Sequence, residues 1–393
     1  MKFDIWKECP KVPLPSVLLT VVDNRGKTVP TAPSGHKLIA TNCVRNENLY
    51  PVYEKIRYLS EETYRTWFRA HPEPGDIIFV CKGTPGRVCL VPDPIDFCIA
   101  QDMVALRADP KIVYNKYLLA VLRSFQIQEQ ILSTSVGDVI PHFKKSFFDQ
   151  IMIPIPNMDI QKSIGDFYYT ISEKTELNKK INDNLEQQAA ALFSSLYNRS
   201  NTEVRYTDLI QILGGGTPKT GETAYWNGNI AFFTPKDVGT PYTFITEKTI
   251  TEEGLSHCNS RLYPVNTVFV TARGTVGKVG LSGVPMAMNQ SCYALVGKET
   301  HQLLVYFYTL KAVDRLKHKA SGAVFDAITT RDFDSEQIMK LSDDDAKAFL
   351  CVAEPMFQEI LNNSIENLRL STLRDFLLPK LMSGEIGVSS VQL

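Results

Sequence analysis

The feature that most constrains this chain is an internal repeat. Residues 75–90 and 265–281 both read as a strand, a turn of the form basic–Gly–Thr–x–Gly, a second basic residue and another strand. Four further matches follow in the same order, and the separation between matched residues falls only from 191 to 185. Five ordered matches weigh against chance and predict two similar surfaces in one chain. The four pairs are Ile99–Gln101 with Met288–Gln290, Tyr117–Leu132 with Leu303–Leu316, Ser135–Ile140 with Ala320–Phe325, and Phe147–Ile151 with Phe333–Ile338.

Each repeat is followed by a long segment with apolar residues at helical spacing. Residues 159–197 and 343–381 would each be about 60 Å long as a straight helix, which exceeds an ordinary globular helix. The spacing therefore predicts two long helices, one from each half, that pair antiparallel. The apolar positions are Ile160, Ile164, Phe167, Ile171, Ile181, Leu185, Leu192 and Leu196 in the first helix, and Leu350, Ala353, Phe357, Ile360, Leu361, Ile365, Leu368 and Phe376 in the second.

Polar residues and one proline interrupt these stripes. Lys174 and Asn178 fall within the apolar stripe of the first helix, where a partner or a water pocket has to accept their polar groups. Pro355 lacks a backbone N–H, so it either kinks the second helix or marks a later start. The region of Asp159 is predicted to cap the first helix, and the acidic run 343–345 suits the positive end of the second.

Composition places the chain among ordinary globular proteins. Hydrophobic residues make up 44% and charged residues 22%, and no apolar run approaches the length of a membrane span. The charged, Pro-rich start does not have the form of a secretory signal. Eight cysteines without a CxxC pair indicate reduced thiols in a cytoplasmic protein. Cys81, Cys89 and Cys98 lie among strand-like apolar residues and are predicted to be core positions.

The charge balance permits DNA binding without requiring it. The net charge is −1, but residues 1–158 and 201–340 carry a slight excess of Lys and Arg, whereas residues 341–393 are acidic. A local basic patch on either lobe is compatible with these numbers.

Three stretches resemble the specificity subunit of type I restriction–modification systems. Residues 373–386 are similar to the end of that family's distal conserved helix. Residues 214–220, followed by 225–228 and 233–238, are similar to the opening of many of its target-recognition domains. Residues 153–156, which lead into the first long helix, are similar to its central conserved region. With the repeat, the resemblance covers essentially the whole chain.

The resemblance implies an α+β fold with two pseudo-repeated target-recognition domains, each followed by a long α-helix. The two helices are expected to pair as an antiparallel coiled-coil spacer. The expected boundaries are residues 1–158 for the first domain, 159–200 for the central conserved helix, 201–342 for the second domain, and 343–393 for the distal conserved helix and the tail.

The same resemblance implies a non-catalytic subunit that reads a bipartite target in double-stranded DNA, one half with each lobe. Methyltransferase subunits are expected to dock on the helices, and an endonuclease/translocase subunit is a further partner where one exists. No cofactor is expected in this chain, because S-adenosylmethionine belongs to the methyltransferase subunit. A cytoplasmic location without membrane contact is expected.

The two glycine turns are the first candidates for DNA contact. A Gly turn exposes backbone N–H groups, Thr adds a hydroxyl, and a basic side chain can meet a phosphate or a guanine edge. Arg can be bidentate to guanine, whereas Lys acts as a point charge. A polar β-turn with solvated charges is the competing interpretation. The candidates are Lys82, Thr84 and Arg87 in the first turn, and Arg273, Thr275 and Lys278 in the second.

Further candidates lie outside these turns. A basic cluster at the end of a predicted helix either follows phosphates or forms a solvated face. In segment 214–220, Pro218 removes a donor that a nucleotide-phosphate cradle needs, so a turn is predicted, either against DNA or without contact. Tyr225 and Trp226 are expected to pack beneath that turn. The remaining candidates are Lys311, Arg315 and Lys319, with Lys317 and His318 beside them, and Lys144, Lys145, Thr217, Lys219 and Lys236.

No catalytic constellation stands out in the sequence. The six histidines lack metal-ligand spacing, and neither an Asn-Pro-Pro-Tyr-like methyltransferase motif nor GxGxxG occurs. Two alternatives to a DNA reader remain open. One is a scaffold whose helices bind a partner while its lobes are degenerate, and the other is a nuclease or methyltransferase in its own right.

Overall fold

A computed structural model describes residues 3–24, 26–135, 141–239, 241–319 and 327–387. The chain forms two units, one of Met1–Asn178 with Glu366–Leu393 and the other of Lys179–Ile365. Each unit therefore contains one repeat and part of each long helix. Of the match between residues 135–140 and 320–325, only Ser135 lies within the described residues.

Among the described residues of the first unit, nine strands form three sheets. The strands are β1 (Lys11–Pro13), β2 (Leu18–Val22), β3 (His36–Ile39), β4 (Arg57–Leu59), β5 (Ile77–Val80), β6 (Val88–Leu90), β7 (Phe97–Ile99), β8 (Met103–Ala108) and β9 (Met152–Pro154). One antiparallel sheet has the order β2-β8-β5-β6. A second has the order β4-β3-β7, with β3 and β7 parallel, and β1 pairs with β9.

The second unit repeats this topology strand for strand. Its strands are β10 (Thr202–Arg205), β11 (Ile210–Gly214), β12 (Trp226–Phe233), β13 (Tyr242–Thr243), β14 (Lys248–Ile250), β15 (Val268–Thr271), β16 (Val279–Ser282), β17 (Met286–Met288), β18 (Cys292–Gly297) and β19 (Gln337–Lys340). The sheet orders are β11-β18-β15-β16-β13, β14-β12-β17 and β10-β19. Only β13, which extends one sheet in parallel to β16, has no counterpart among the described strands of the first unit.

The helices of the lobes are short except where they cover a sheet. The single apolar helix predicted over residues 117–132 is two helices, because the chain turns at Ser124, whose hydroxyl donates to the Val121 carbonyl at 2.6 Å. Its counterpart in the second unit is unbroken. The helices are α1 (Ile5–Glu8), α2 (Glu61–Thr66), α3 (Asn115–Leu122) and α4 (Phe125–Thr134) in the first unit, and α6 (Tyr206–Leu209), α7 (Glu252–Ser256), α8 (Gln302–Lys319) and α9 (Thr330–Ser335) in the second.

Both predicted long helices are confirmed, as α5 (Met158–Arg199) and α10 (Asp343–Met382). Asn157 caps α5, because its side chain accepts the Ile160 N–H at 3.0 Å. Helix α10 passes through Pro355, so a later start is wrong. No helix of the described residues is long and apolar enough to cross a membrane.

The two long helices pair antiparallel within each unit. In the first unit, Ile171 of α5 packs with Leu381 of α10 in one buried cluster. At the polar interruption, the Asn178 amide N–H group donates to the Glu366 carboxylate of α10 at 2.6 Å, while its buried Oδ1 has no hydrogen-bond partner among the described residues. In the second unit, Asn182 accepts from the Asn363 amide, Phe193 meets Phe349 edge-on, and Arg199 pairs with Asp345 at 2.6 Å.

Each unit has its own aromatic-rich core. In the first, Phe79 and Phe148 pack at 5.3 Å between ring centres, and the predicted core positions Cys81, Cys89 and Cys98 are buried. In the second, Phe307 meets Phe349 at 5.2 Å against the sheet. Because each lobe buries its own large side chains, the strand ends that carry the turns rest on a packed base.

Candidate nucleic-acid interface

The two glycine turns adopt one backbone conformation. The turn of residues 82–87 follows β5, and the turn of residues 273–278 follows β15. Both glycines of each turn have positive φ, from 73° to 89°, which an L side chain rarely adopts. The two glycines of the pattern are therefore a requirement of the turn itself. The glycines are Gly83, Gly86, Gly274 and Gly277.

Matching hydrogen bonds close each turn on its own strand. The Gly86 N–H donates to the Val80 carbonyl at 3.0 Å, and the Gly277 N–H donates to the Thr271 carbonyl at 2.9 Å. The first basic residue of each turn also forms an isolated antiparallel bridge, Lys82 with His142 and Arg273 with Ala327. The two turns are thus held in the same way at the same point of the same sheet.

The basic side chains of the turns are available to solvent. Lys82, Arg273 and Lys278 are exposed and Arg87 is half-buried. Across the described ranges, no carboxylate forms an ion pair with any of these four. Each turn thus carries two cations without an acidic partner in the described part of the chain, which suits an anionic ligand.

Hydroxyl groups near the second turn serve its shape. The Thr275 hydroxyl donates to the Pro235 carbonyl at 3.0 Å and ties the turn to the segment after β12. The Thr217 hydroxyl donates to the side chain of Gln290, which follows β17. Thr84, the counterpart of Thr275, is half-buried. Thr275 is thus part of the fixed turn, whereas Thr217 bonds to the residue that precedes Ser291, whose carbonyl accepts the Arg273 N–H at 3.2 Å.

The segment after β12 is built around a carboxylate that sequence reasoning missed. Asp237 accepts the Thr234 N–H at 2.8 Å and the Thr234 hydroxyl at 2.6 Å, and its other oxygen accepts the Glu247 N–H at 2.8 Å. A Thr followed three residues later by Asp is the signal for such a turn. The exposed side chain of Lys236 sits on this framework and lies 3.4 Å from the Glu247 carboxylate.

Of the two aromatic residues expected beneath the 214–220 segment, Trp226 contacts that segment and Tyr225 packs elsewhere. The Trp226 indole N–H donates to the Lys219 carbonyl at 3.1 Å, and its ring meets Phe232 edge-on at 5.5 Å. Tyr225 stacks on His257. The side chain of Lys219 is exposed, so this candidate is held by its backbone and leaves its ammonium in solvent.

The basic cluster of α8 is engaged within its own unit. Arg315 lies 3.4 Å from the buried carboxylate of Glu336, and Lys319 also pairs with Glu336. Lys317 donates to the Gly277 carbonyl at 2.7 Å, and the Lys311 ammonium lies 5.5 Å from the centre of the Tyr197 ring. The cluster is thus not one uniform solvated face.

The first-lobe lysines after the repeat differ from each other. Lys145 lies 3.5 Å from the Asp23 carboxylate, whereas the Lys144 ammonium lies 5.9 Å from the centre of the Phe147 ring. Both side chains are exposed. The described part of the chain contains no group of three His, Cys, Asp or Glu residues that could hold a metal ion.

Comparison with known proteins identifies the family. The sequence profile of the type I restriction modification DNA specificity domain matches residues 32–187 and 198–340. The chain is 23% identical over 398 residues to the HindI specificity subunit of Haemophilus influenzae, covering 79% of this chain and 86% of that protein. It is 32% identical over 124 residues to the MjaIX specificity subunit of Methanocaldococcus jannaschii, covering 30% of this chain and 29% of that protein.

The fold agrees with this assignment. The crystal structure of the type I restriction–modification S subunit from M. genitalium superposes with a TM-score of 0.61 at 16% identity, covering 97% of this chain and 98% of that one. The two profile matches fall on the two repeated lobes. The chain therefore belongs to the type I restriction–modification DNA specificity family, as a two-domain DNA-recognition subunit that is not itself an enzyme.

Proposed function

We propose that the two glycine turns are the DNA-contacting elements of this chain, and that each lobe reads one half of a bipartite target in double-stranded DNA. The observation that carries the proposal is the placement of an exposed basic residue, Lys82 or Arg273, at the same position of the same turn in both lobes. Neither has an acidic partner within the described residues. An unpaired cation on a fixed turn is suited to a phosphate or a base edge.

The two turns are expected to contribute differently. Arg273 carries a planar guanidinium that can donate two hydrogen bonds to a guanine, so its contribution depends on the base. Lys82 is a point charge that suits a phosphate and contributes evenly across sequences. Arg87 and Lys278, which end the turns, are placed to add phosphate contacts.

The remaining candidates form a second set under this proposal. Lys144 and Lys219 have exposed side chains without a described carboxylate partner and would extend the phosphate track, as would the exposed Lys236, which lies 3.4 Å from the Glu247 carboxylate. The others are already held by protein groups, which makes their contribution to DNA binding smaller. These are Lys145, Thr217, Thr275, Lys311, Arg315 and Lys319.

We infer that the chain works with methyltransferase subunits, which bind S-adenosylmethionine and dock on α5 and α10, and with a restriction subunit where one exists. The relatives named above are described as type I restriction enzyme specificity subunits, which supports this assembly. A cytoplasmic location follows from a role on cellular DNA. The working domain boundaries are 1–158, 159–200, 201–342 and 343–393.

The test measures DNA affinity over a range of salt concentrations for the complex with its methyltransferase subunits. Arg273→Ala is expected to cost about 1–3 kcal/mol and to relax the base preference at one position. Lys82→Ala is expected to weaken binding evenly and to lower the salt slope by about one.

A matched control is Lys7→Ala, since Lys7 lies in α1 and not in a glycine turn, its side chain is 83% exposed, and its ammonium pairs with Asp4 at 3.3 Å. Its affinity should equal that of the parent complex. If Arg273→Ala and Lys82→Ala both behaved like this control, the lobes would be degenerate and the chain would act as a scaffold.

A further inference from the structure

One carbonyl in each glycine turn is held by a side chain from a helix. The Lys317 ammonium of α8 donates to the Gly277 carbonyl at 2.7 Å. The Gln128 amide of α4 donates to the Gly86 carbonyl at 2.9 Å. Gly277 and Gly86 are the second glycines of the two turns, so the same backbone atom is bound in both lobes.

The two donors are not the same position of the repeat. A Cβ added to Gly86 would lie 3.0 Å from Ile131, three residues after Gln128. A Cβ added to Gly277 would lie 3.0 Å from Val313, four residues before Lys317. The donor therefore precedes the apolar neighbour in the first lobe and follows it in the second. The shared feature is the hydrogen bond, not the charge and not the helix position.

This bond completes the fixation of each turn. The N–H of the second glycine already closes the turn on its strand. Its carbonyl belongs to the peptide that leads to the next residue, which is Arg87 in one turn and Lys278 in the other. Fixing that carbonyl from a helix fixes the orientation of this peptide, and with it the direction in which the following basic side chain leaves the backbone.

We propose that Lys317 and Gln128 are positioning residues for the two DNA-contacting turns. Lys317 then acts by donating a hydrogen bond to the turn, as the uncharged Gln128 does, and not by neutralising a phosphate. The inference rests on the proposed function, because it assigns a role in holding a surface that reads DNA. Lys317 therefore has a different role from the one considered for its neighbours in the basic cluster of α8, which is to follow phosphates.

The experiment uses the complex with its methyltransferase subunits. Single-molecule sequencing of genomic DNA from cells that contain the complex gives the methylated motif. Duplexes are then made with the full motif, or with one half randomised. Gln128→Met and Lys317→Met remove the donor while keeping a long, unbranched side chain. Each is expected to bind the full motif up to about tenfold more weakly, because one such hydrogen bond favours the fixed turn over other conformations by at most about that factor.

The decisive result is the dependence on the half-site. Each variant should lose discrimination at one half of the motif and keep it at the other, and the two variants should affect different halves. Retained reading of the other half shows that the other lobe is folded, and denaturant unfolding of each variant, expected to match the parent closely, shows that its own lobe is folded too. Lys317→Arg keeps a donor and should restore most of the affinity.

Two results would overturn the proposal. If Lys317→Met weakened binding equally on the full motif and on both randomised duplexes, Lys317 would be a phosphate contact. If both Met variants bound like the parent, the hydrogen bonds would have no role in reading. Failure of the proposed function is a separate outcome, since the parent complex would then show no split motif, or Arg273→Ala and Lys82→Ala would leave the binding unchanged.

Discussion

The two lobes share their strand order but differ in what they bury at one equivalent position. The carbonyl of Ile151 accepts the Leu14 N–H at 2.9 Å, and the carbonyl of Glu336 accepts the Tyr206 N–H at 2.9 Å. Both side chains are buried, yet one is apolar and the other is ionisable. The duplicated topology therefore fixes the backbone and leaves the chemistry of the interior to each lobe.

The difference explains why the second lobe carries Arg315 and Lys319 on α8. Glu336 is fully buried, and its carboxylate is paired with Arg315 and Lys319 of α8. In the first lobe Ile151 needs no such partners. A cluster of basic residues on a helix can thus be the counterpart of one buried acid beneath it, and not a surface for an external anion.

The largest effect on stability is expected when Glu336 loses both of its ion-pair partners. The double variant Arg315→Met with Lys319→Met leaves a buried carboxylate without a cation, which should cost about 3–5 kcal/mol in the free energy of unfolding. Denaturant unfolding measures this loss. Adding Glu336→Ile, which copies the first lobe, should bring the stability back near that of the parent. A double variant as stable as the parent would show that the ion pairs are not needed.

A smaller effect concerns a turn residue with positive φ. Gly75 (φ 86°) and Asn266 (φ 69°) each accompany a matching hydrogen bond, Gly75 N–H to the Val91 carbonyl and Asn266 N–H to the Ser282 carbonyl. Because Asn tolerates this conformation and Ala does not, Gly75→Ala should cost about 1–2 kcal/mol and Gly75→Asn clearly less. Thermal unfolding compares the two variants directly. Equal losses would indicate that crowding, not φ, determines the residue.

The smallest expected effect is an opposite response of the two units to pH. Burial raises the pKa of Glu186 in the second unit, although the Tyr306 hydroxyl donates to its carboxylate. Burial also acts to raise the pKa of Asp96 in the first unit, but hydrogen bonds from Lys37 and Tyr53 bring it below its usual value. Glu186 therefore favours the folded state at low pH and loses this contribution as pH rises through its raised pKa. Asp96 loses its contribution as pH falls.

Amide hydrogen exchange resolves the two units in one sample. Glu186→Gln should increase protection in the second unit at about pH 7 and leave it nearly unchanged at about pH 4. Asp96→Asn, the matched change in the first unit, should decrease protection there at about pH 7. If both substitutions changed amide protection in the same direction at about pH 7, the opposite pKa shifts of Glu186 and Asp96 would be wrong.

The turns were predictable from sequence because their conformation demands particular residues. Positive φ at four sites selects glycine, and this makes the two turns recognisable in the amino-acid sequence. Long helices such as α5 are predictable because a stripe of apolar residues persists over many turns. The break at Ser124 was not predicted, since one serine in an apolar run does not show which way the chain turns.

The interactions of α8 were not predictable for a different reason. Helical spacing places Arg315 and Lys319 on one face, but it does not show that Glu336 is buried beneath that face. A glutamate between Ser335 and Gln337 has the local pattern of a solvated residue. The bond from Lys317 to Gly277 joins positions 40 residues apart, so only the fold reveals it.

The interrupted sequence of the first unit has a consequence for biosynthesis. This unit consists of Met1–Asn178 and Glu366–Leu393, whereas the second is one continuous stretch. Leu378 and Met382 belong to the core of the first unit, and the ribosome adds them after the whole second unit. The half that is synthesised first is therefore completed last, and until then part of its apolar interior stays uncovered and open to chaperones.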